Sequence, residues 1–180
     1  TLEALKEKNE RLNLLQIRGS RFLEREKHND SFIEKYKGAD PHYLEHLVGP
    51  ITFLQTEIDA LEMIYAHPSF QACSNLKERL HHLLGDGNKI RFVEKNHKSG
   101  TILREVELKQ VTPVEVGMED IKNLLSIFEG VAIDFYEAPS FRPQLIIQSF
   151  ELDRKIALER ETYSLTTNLI KREIISPKKI

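Results

Sequence analysis

His42-Tyr43-Leu44-Glu45-His46 is the stretch of this chain closest to a catalytic motif. It fits the pattern H-x-x-E-H. On a helix, residues four apart share a face, so His42 and His46 could grip one zinc ion while Glu45 served as general base. That chemistry would be a zinc-dependent hydrolase. A solvated first helical turn, just after Pro41 and before Gly49-Pro50, accounts for the same residues without any cleft. Short motifs match by chance and hydrolysis needs a housed site, so the bland reading is preferred.

Other reactive side chains fare no better. His81 and His82 are neighbours on a predicted helix, where adjacent residues diverge by about 100° and cannot chelate together. Glu119-Asp120 opens a second predicted helix, and carboxylates are favoured at that positive end of the dipole. Gly85-Asp86-Gly87 lacks the lysine and the following helix of a phosphate loop, and reads as a left-handed helix stop. Cys73 is the single cysteine, which excludes an internal disulfide and a cysteine-based zinc knuckle and leaves an inert thiol. Phe135, Tyr136 and Phe141 flank a proline-containing loop and read as a lid on the core rather than a stacking platform. No catalytic, cofactor-binding or metal-ligating residue is assigned, and no cofactor is expected.

The elements that would have to position such residues are better marked than the residues themselves. A chain of 180 residues suits one globular domain plus an extension, and 30% charged residues is the richness expected of long exposed helices. A net charge of −2 with interspersed Lys and Glu gives no reason to expect nucleic acid, which requires clustered uncompensated cations. No run approaches the ~18 apolar residues of a membrane span. The chain opens on Thr1 already inside an amphipathic pattern, as an excised piece of a longer protein would.

Residues 1–70 read as a helical coiled-coil stalk. Leu2, Leu5 and Leu12 fall on a heptad seam interrupted by Asn9, and Leu15 and Phe22 continue it after a three-residue slip. Gly38, Asp40 and Pro41 end that helix. A second pattern carries Tyr43, Leu44 and Leu47 and, after Gly49-Pro50, Ile51, Leu54, Ile58, Leu61 and Tyr65, spaced 3, 4, 3 and 4. Two such helices would form an antiparallel hairpin or join helices of a partner. The predicted interface is therefore Leu5, Leu12, Ile51, Leu54, Ile58, Leu61 and Tyr65.

Residues 75–175 read as an α+β domain in the order αββαββ. Asn75 and Glu78 suggest a capping box, and Leu76, Leu80, Leu83 and Leu84 form one apolar helix face. Residues 88–111 alternate as a β-hairpin, and a helix carrying Met118, Ile121, Leu125 and Phe128 stops at Gly130. Strands follow at 144–152 and 161–171. In the last, Tyr163, Leu165, Thr167 and Leu169 face one way and Ser164, Thr166 and Asn168 the other. The simplest closure is a four-stranded antiparallel sheet with two helices on one face and an opposite face that is solvated or covered by a partner. An open sheet also has edges that can add strands across a dimer.

This order, with the closing stretch Arg142-Pro143-Gln144-Leu145-Ile146-Ile147-Gln148-Ser149-Phe150-Glu151-Leu152, the final strand Thr162–Leu169 and the earlier helix from Val116-Gly117-Met118 to Phe128-Glu129, resembles the periplasmic part of PilO/GspM-type proteins. These are assembly-platform components of type IV pili and type II secretion systems. The resemblance covers about the last hundred residues and implies a permuted ferredoxin-like domain. It implies no catalysis, and a stalk and head that pair with themselves as a homodimer or with a sister platform subunit. It further implies a place at the periplasmic face of the inner membrane, through an N-terminal anchor absent from this chain. The alternative reading is a soluble cytoplasmic coiled-coil adaptor or chaperone of a secretion apparatus.

Overall fold

The computed structural model describes residues 2–100, 102–157 and 160–175. The chain divides into two units, Thr1–Lys37 and Gly38–Ile180. The first is a single helix, α1 (Leu2–Tyr36). At a rise of about 1.5 Å per residue it is about 50 Å long. Within it the aromatic rings of Phe32 and Tyr36, one turn apart, lie 4.7 Å from each other.

The second unit begins with α2 (Tyr43–Leu47), α3 (Gln55–Ala66) and α4 (Ser74–Leu84). It continues through β1 (Phe92–Ser99), β2 (Leu103–Gln110), β3 (Val114–Val116), α5 (Met118–Glu129), β4 (Gln144–Ala157) and β5 (Arg160–Ile174). The chain is thus an α+β protein, a long N-terminal helix followed by helices on an antiparallel sheet.

β5 organises the sheet. β4 runs antiparallel along one side of it, from Gln144↔Arg172 to Ala157↔Arg160. On the other side lie β2, from Leu103↔Ile174 to Lys109↔Asn168, and β3, from Val114↔Leu165 to Val116↔Tyr163. β1 completes the sheet outside β2. The lanes therefore read β1, then β2 followed by β3, then β5, then β4.

Pro113 has no N–H to donate, and the ladder breaks between β2 and β3. The buried amide of Gln110 fills the break. Its nitrogen donates to the carbonyls of Thr112 (2.7 Å) and Leu165 (3.0 Å), and its oxygen accepts the Thr167 N–H (2.8 Å). Asn88 does the same at the outer edge of β3, donating to Glu115 O (2.9 Å) and accepting from Glu115 N–H (2.6 Å).

The expected alternation along β5 is present. Leu165, Thr167 and Leu169 are buried, while Ser164, Thr166 and Asn168 are only half-buried on the other side. The core on the buried face joins Val106, Leu108, Val114, Val116, Leu165 and Leu169 to Ile121, Leu124, Ile127 and Phe128 of α5. It also contains Tyr43, Leu44, Val48 and Phe53. The Tyr43 hydroxyl donates to the carbonyl of Ile127 at 2.9 Å. Burial pushes that phenol up to about 12, with Arg142 nearby acting the other way.

Several expectations need correction. The expected 1–70 stalk is divided at residue 37, because residues from Tyr43 onward supply core to the sheet that a 75–175 domain would lack. The first of the two helices expected on the sheet, α4, instead packs Leu80 and Leu83 against Leu54 and Ile58 in a separate cluster. α4 begins at Ser74 after Cys73, with no side-chain cap, so Asn75 and Glu78 form no capping box. Gly85 ends α4 in an extended conformation rather than a left-handed one. Its lack of a side chain matters because a Cβ there would lie 2.6 Å from the His81 carbonyl oxygen. The left-handed stop is at Gly130 (φ 64°), which ends α5.

Candidate functional site

The predicted interface residues separate into two groups. Leu5 lies in α1, but its side chain is outside the described residues. Leu12 is on the same helix and 62% exposed. Leu15, Phe22 and Leu23 are similarly open and, at about 100° per residue, fall on the same side of the helix as Leu12. Leu14 and Ile17, also exposed, fall on the opposite side. α1 therefore offers apolar surface in two directions, more than a two-stranded seam would use.

The second group is covered wholly or partly by its own chain. Ile51 packs at the margin of the main core, and Leu54 and Ile58 are buried with Leu80 and Leu83, with Leu61 and Tyr65 beside them. The heptad seam was legible, but its acceptor is α4 of the same chain. Ile58 is 1% exposed. Leu54 is the N-cap of α3 at φ 58°, a left-handed conformation unusual for a leucine. The Asp120 carboxylate fixes it there, accepting the N–H groups of Leu54 (3.0 Å) and Gly117 (2.8 Å) from one oxygen. Burial raises the Asp120 pKa, and those two N–H bonds partly offset the rise. Asp120 thus joins the start of α5 to the start of α3, beyond the dipole role its position suggested.

A half-buried ion-pair network reinforces this packing. Arg79 of α4 grips Glu57 of α3 with two nitrogens, at 2.8 and 3.2 Å, and reaches Glu115 of β3 at 2.8 Å. His82 and Lys155 approach the same Glu115 at 3.7 and 3.8 Å. The bond to Glu57, then that to Glu115, holds Arg79 still more firmly charged. Sequence reasoning missed Arg79 and Glu115, since nothing in the spacing places residues 36 apart side by side.

The H-x-x-E-H residues stand beside a cleft of about 360 Å³ between α2 and β1, floored by Leu44, Ile90, Phe92 and Leu108. Their rings are directed at different carboxylates. His42 Nδ1 meets Glu45 Oε2 at 2.7 Å, and His46 Nδ1 meets Asp40 Oδ2 at 2.7 Å. Asp40 also accepts the His42 N–H at 2.9 Å, and that bond, then His46, holds its carboxyl below the ordinary value. Among the described residues no group of three or more His, Cys, Asp or Glu is placed to hold a metal ion. Lys171, nine-tenths buried at the same end, donates to Pro41 O (3.2 Å) and pairs with Glu173 (2.7 Å). These contacts fix the turn before α2 to the sheet.

Phe135 and Phe141 are 80% and 73% exposed, so the loop between α5 and β4 does not use them as a lid. Phe141 sits at φ 57°, and its carbonyl accepts the Asp40 N–H at 2.9 Å. Only Tyr136 of that aromatic group is half-buried. No helix among the described residues is long and apolar enough to cross a membrane. No family model, no curated protein and no solved structure matches this chain. Exposed apolar side chains among the described residues include Leu12, Leu15 and Phe22 on one side of α1, Leu14 and Ile17 on the other, and Leu152 and Ile156 on β4.

Proposed function

We propose that this chain is a non-enzymatic scaffold subunit of an inner-membrane secretion or pilus assembly platform, acting through self-association and pairing with a sister subunit. The observation carrying this reading is α1. A 35-residue helix presents Leu12, Leu15 and Phe22 on one side and Leu14 and Ile17 on the other, all exposed. Exposed apolar surface on a helix is stabilised when another helix covers it, at about 25 cal/mol per Å² removed from water.

The lane order of the sheet supports the finer part of the reading, a permuted ferredoxin-like head. Moving the first strand of a ferredoxin-like βαββαβ unit to its end makes the last strand an interior one. Here the last strand, β5, is interior between β2 and β4. The short β3 and the position of α4 against α3 are departures from that plan. Placement at the periplasmic face, through an anchor outside this chain, belongs to the same proposal.

Analytical ultracentrifugation across concentration tests it. The expected result is reversible association of the parent chain that Leu15→Glu/Phe22→Glu weakens by about tenfold or more, with thermal unfolding of the second unit unchanged. A parent chain that stays monomeric, and captures no sister subunit from envelope extracts, would remove the proposal.

A further inference from the structure

We infer that the outer edge of β4 from Phe150 to Ile156 pairs antiparallel with the same edge of a second copy, centred on Asp153, to make one continuous sheet. This rests on the reading of a self-associating chain but uses a different surface from α1.

The sheet's lateral boundaries are treated unequally. At β3, both backbone groups of Glu115 are occupied by the Asn88 amide. At β1 the register shifts between Glu94 and His97, and Lys95 and Lys98 interrupt the strand, the usual devices that deter pairing. β4 pairs only with β5 among the described residues. Its register shift lies early, between Ile147 and Ser149, so the pairing with β5 is regular from Ser149 onward. Residues Glu151 to Ile156 are all exposed, including the apolar Leu152 and a 72% exposed Ile156. Such an edge is a template for another strand.

Side-chain complementarity selects the occupant. A two-fold axis through a continuous sheet keeps each face on its own side, so only residues of like parity can pair. Centring on Asp153 sets Glu151 opposite Lys155 of the second copy, twice by symmetry, on one face. On the other face it sets Phe150 opposite Ile156 and Leu152 opposite Arg154, again twice. Leu152 then also lies diagonal to its own counterpart and to Ile156, which covers the apolar side chains left open in one chain. The single unfavourable pair, Asp153 with itself, is flanked on its face by both Lys155 residues. Centring on Leu152 would oppose Glu151 to Asp153, and centring on Arg154, though it sets Asp153 opposite Lys155, would oppose two arginines on the apolar face, each with only its own Glu161 beside it.

Disulfide trapping in the full-length chain, with Cys73→Ser as background, reads this register directly. Asp153→Cys is expected to give a covalent dimer under mild oxidation, and to do so also when Leu15→Glu/Phe22→Glu is present. Phe150→Cys and Ile156→Cys, each displaced from its own counterpart, are expected to trap far less. Glu151→Lys should weaken the dimer about tenfold and Glu151→Lys/Lys155→Glu should restore most of it, since each change acts at two symmetric pairs. Efficient trapping through Arg154→Cys instead, or no trapping through Asp153→Cys in a chain that circular dichroism shows to be folded, overturns the pairing. Should Asp153→Cys trap while Leu15→Glu/Phe22→Glu leaves the association of the parent chain as strong as before, the α1 reading fails and the edge pairing stands.

Discussion

The helical stretches 2–36 and 43–66 carry apolar residues at similar spacings and meet opposite fates. In α1, Leu12, Leu15 and Phe22 remain open to solvent. In the later stretch, Tyr43 and Phe53 enter the core under the sheet, and Leu54 and Ile58 are covered by α4. A heptad states only that a stripe needs cover. Whether the cover comes from the same chain or another depends on what the rest of the fold brings within reach.

The sharpest way to break this comparison is to place one charge in each stretch. Ile58→Asp should lower the unfolding free energy by about 4 kcal/mol or more, since it buries an unpaired carboxylate. Leu12→Asp should change the stability of the second unit by less than about 0.5 kcal/mol, as exposed substitutions do. Urea unfolding of both variants decides it. Equal losses would mean that the two stripes are buried alike.

Gln110→Leu comes next. It strips partners from Leu165 O and Thr167 N–H in the interior, at about 1–3 kcal/mol for each group left unpaired. A variant as stable as the parent would show that the amide does not repair the broken ladder. Arg79→Met should cost about 1–3 kcal/mol, because Glu57 and Glu115 are both left half-buried without their shared cation. That loss tests whether α3 and α4 are bound into the sheet unit as firmly as the burial of Ile58 implies.

The smallest effect concerns Tyr43. Its phenol titrates near 12 when folded against an ordinary value of 10.0. From pH 10 towards 12 the unfolded chain therefore loses the proton while the folded chain keeps it, and stability falls as pH rises. Tyr43→Phe should flatten that alkaline slope and cost about 1 kcal/mol at neutral pH through the lost bond to Ile127. An alkaline slope unchanged by Tyr43→Phe would place the titrating group elsewhere.

Much of the secondary structure was legible because it is a local property. The hairpin around residues 88–111, the helix ending at Gly130 and the alternation in residues 163–169 all follow from period and turn chemistry. β3 escaped notice because three residues are too few to display a period, and its place is set by β5. The candidate surfaces were legible only in part. Leu12 could be read as part of a stripe needing cover, but the same reading offered the 43–65 helix of its own chain as that cover. The burial of Ile51 to Tyr65 could not be read, because α4 follows them only after an intervening turn and its own stripe appeared to belong to the sheet. Phe135 and Phe141 misled in the other direction: aromatic side chains suggest burial, and the loop geometry turns them outward.

By itself the amino-acid order determined that this chain combines long helix with antiparallel strand, and that a helix stops at Gly130. Periodicity and steric freedom act over a few residues, so no distant contact was needed. Tertiary structure alone decided that the core is completed by Tyr43 and Phe53, that one helical stripe is consumed at home while another stays open, and that Arg79 meets Glu115. Burial and ion pairing depend on distances in space, and those distances exist only once the chain has closed on itself.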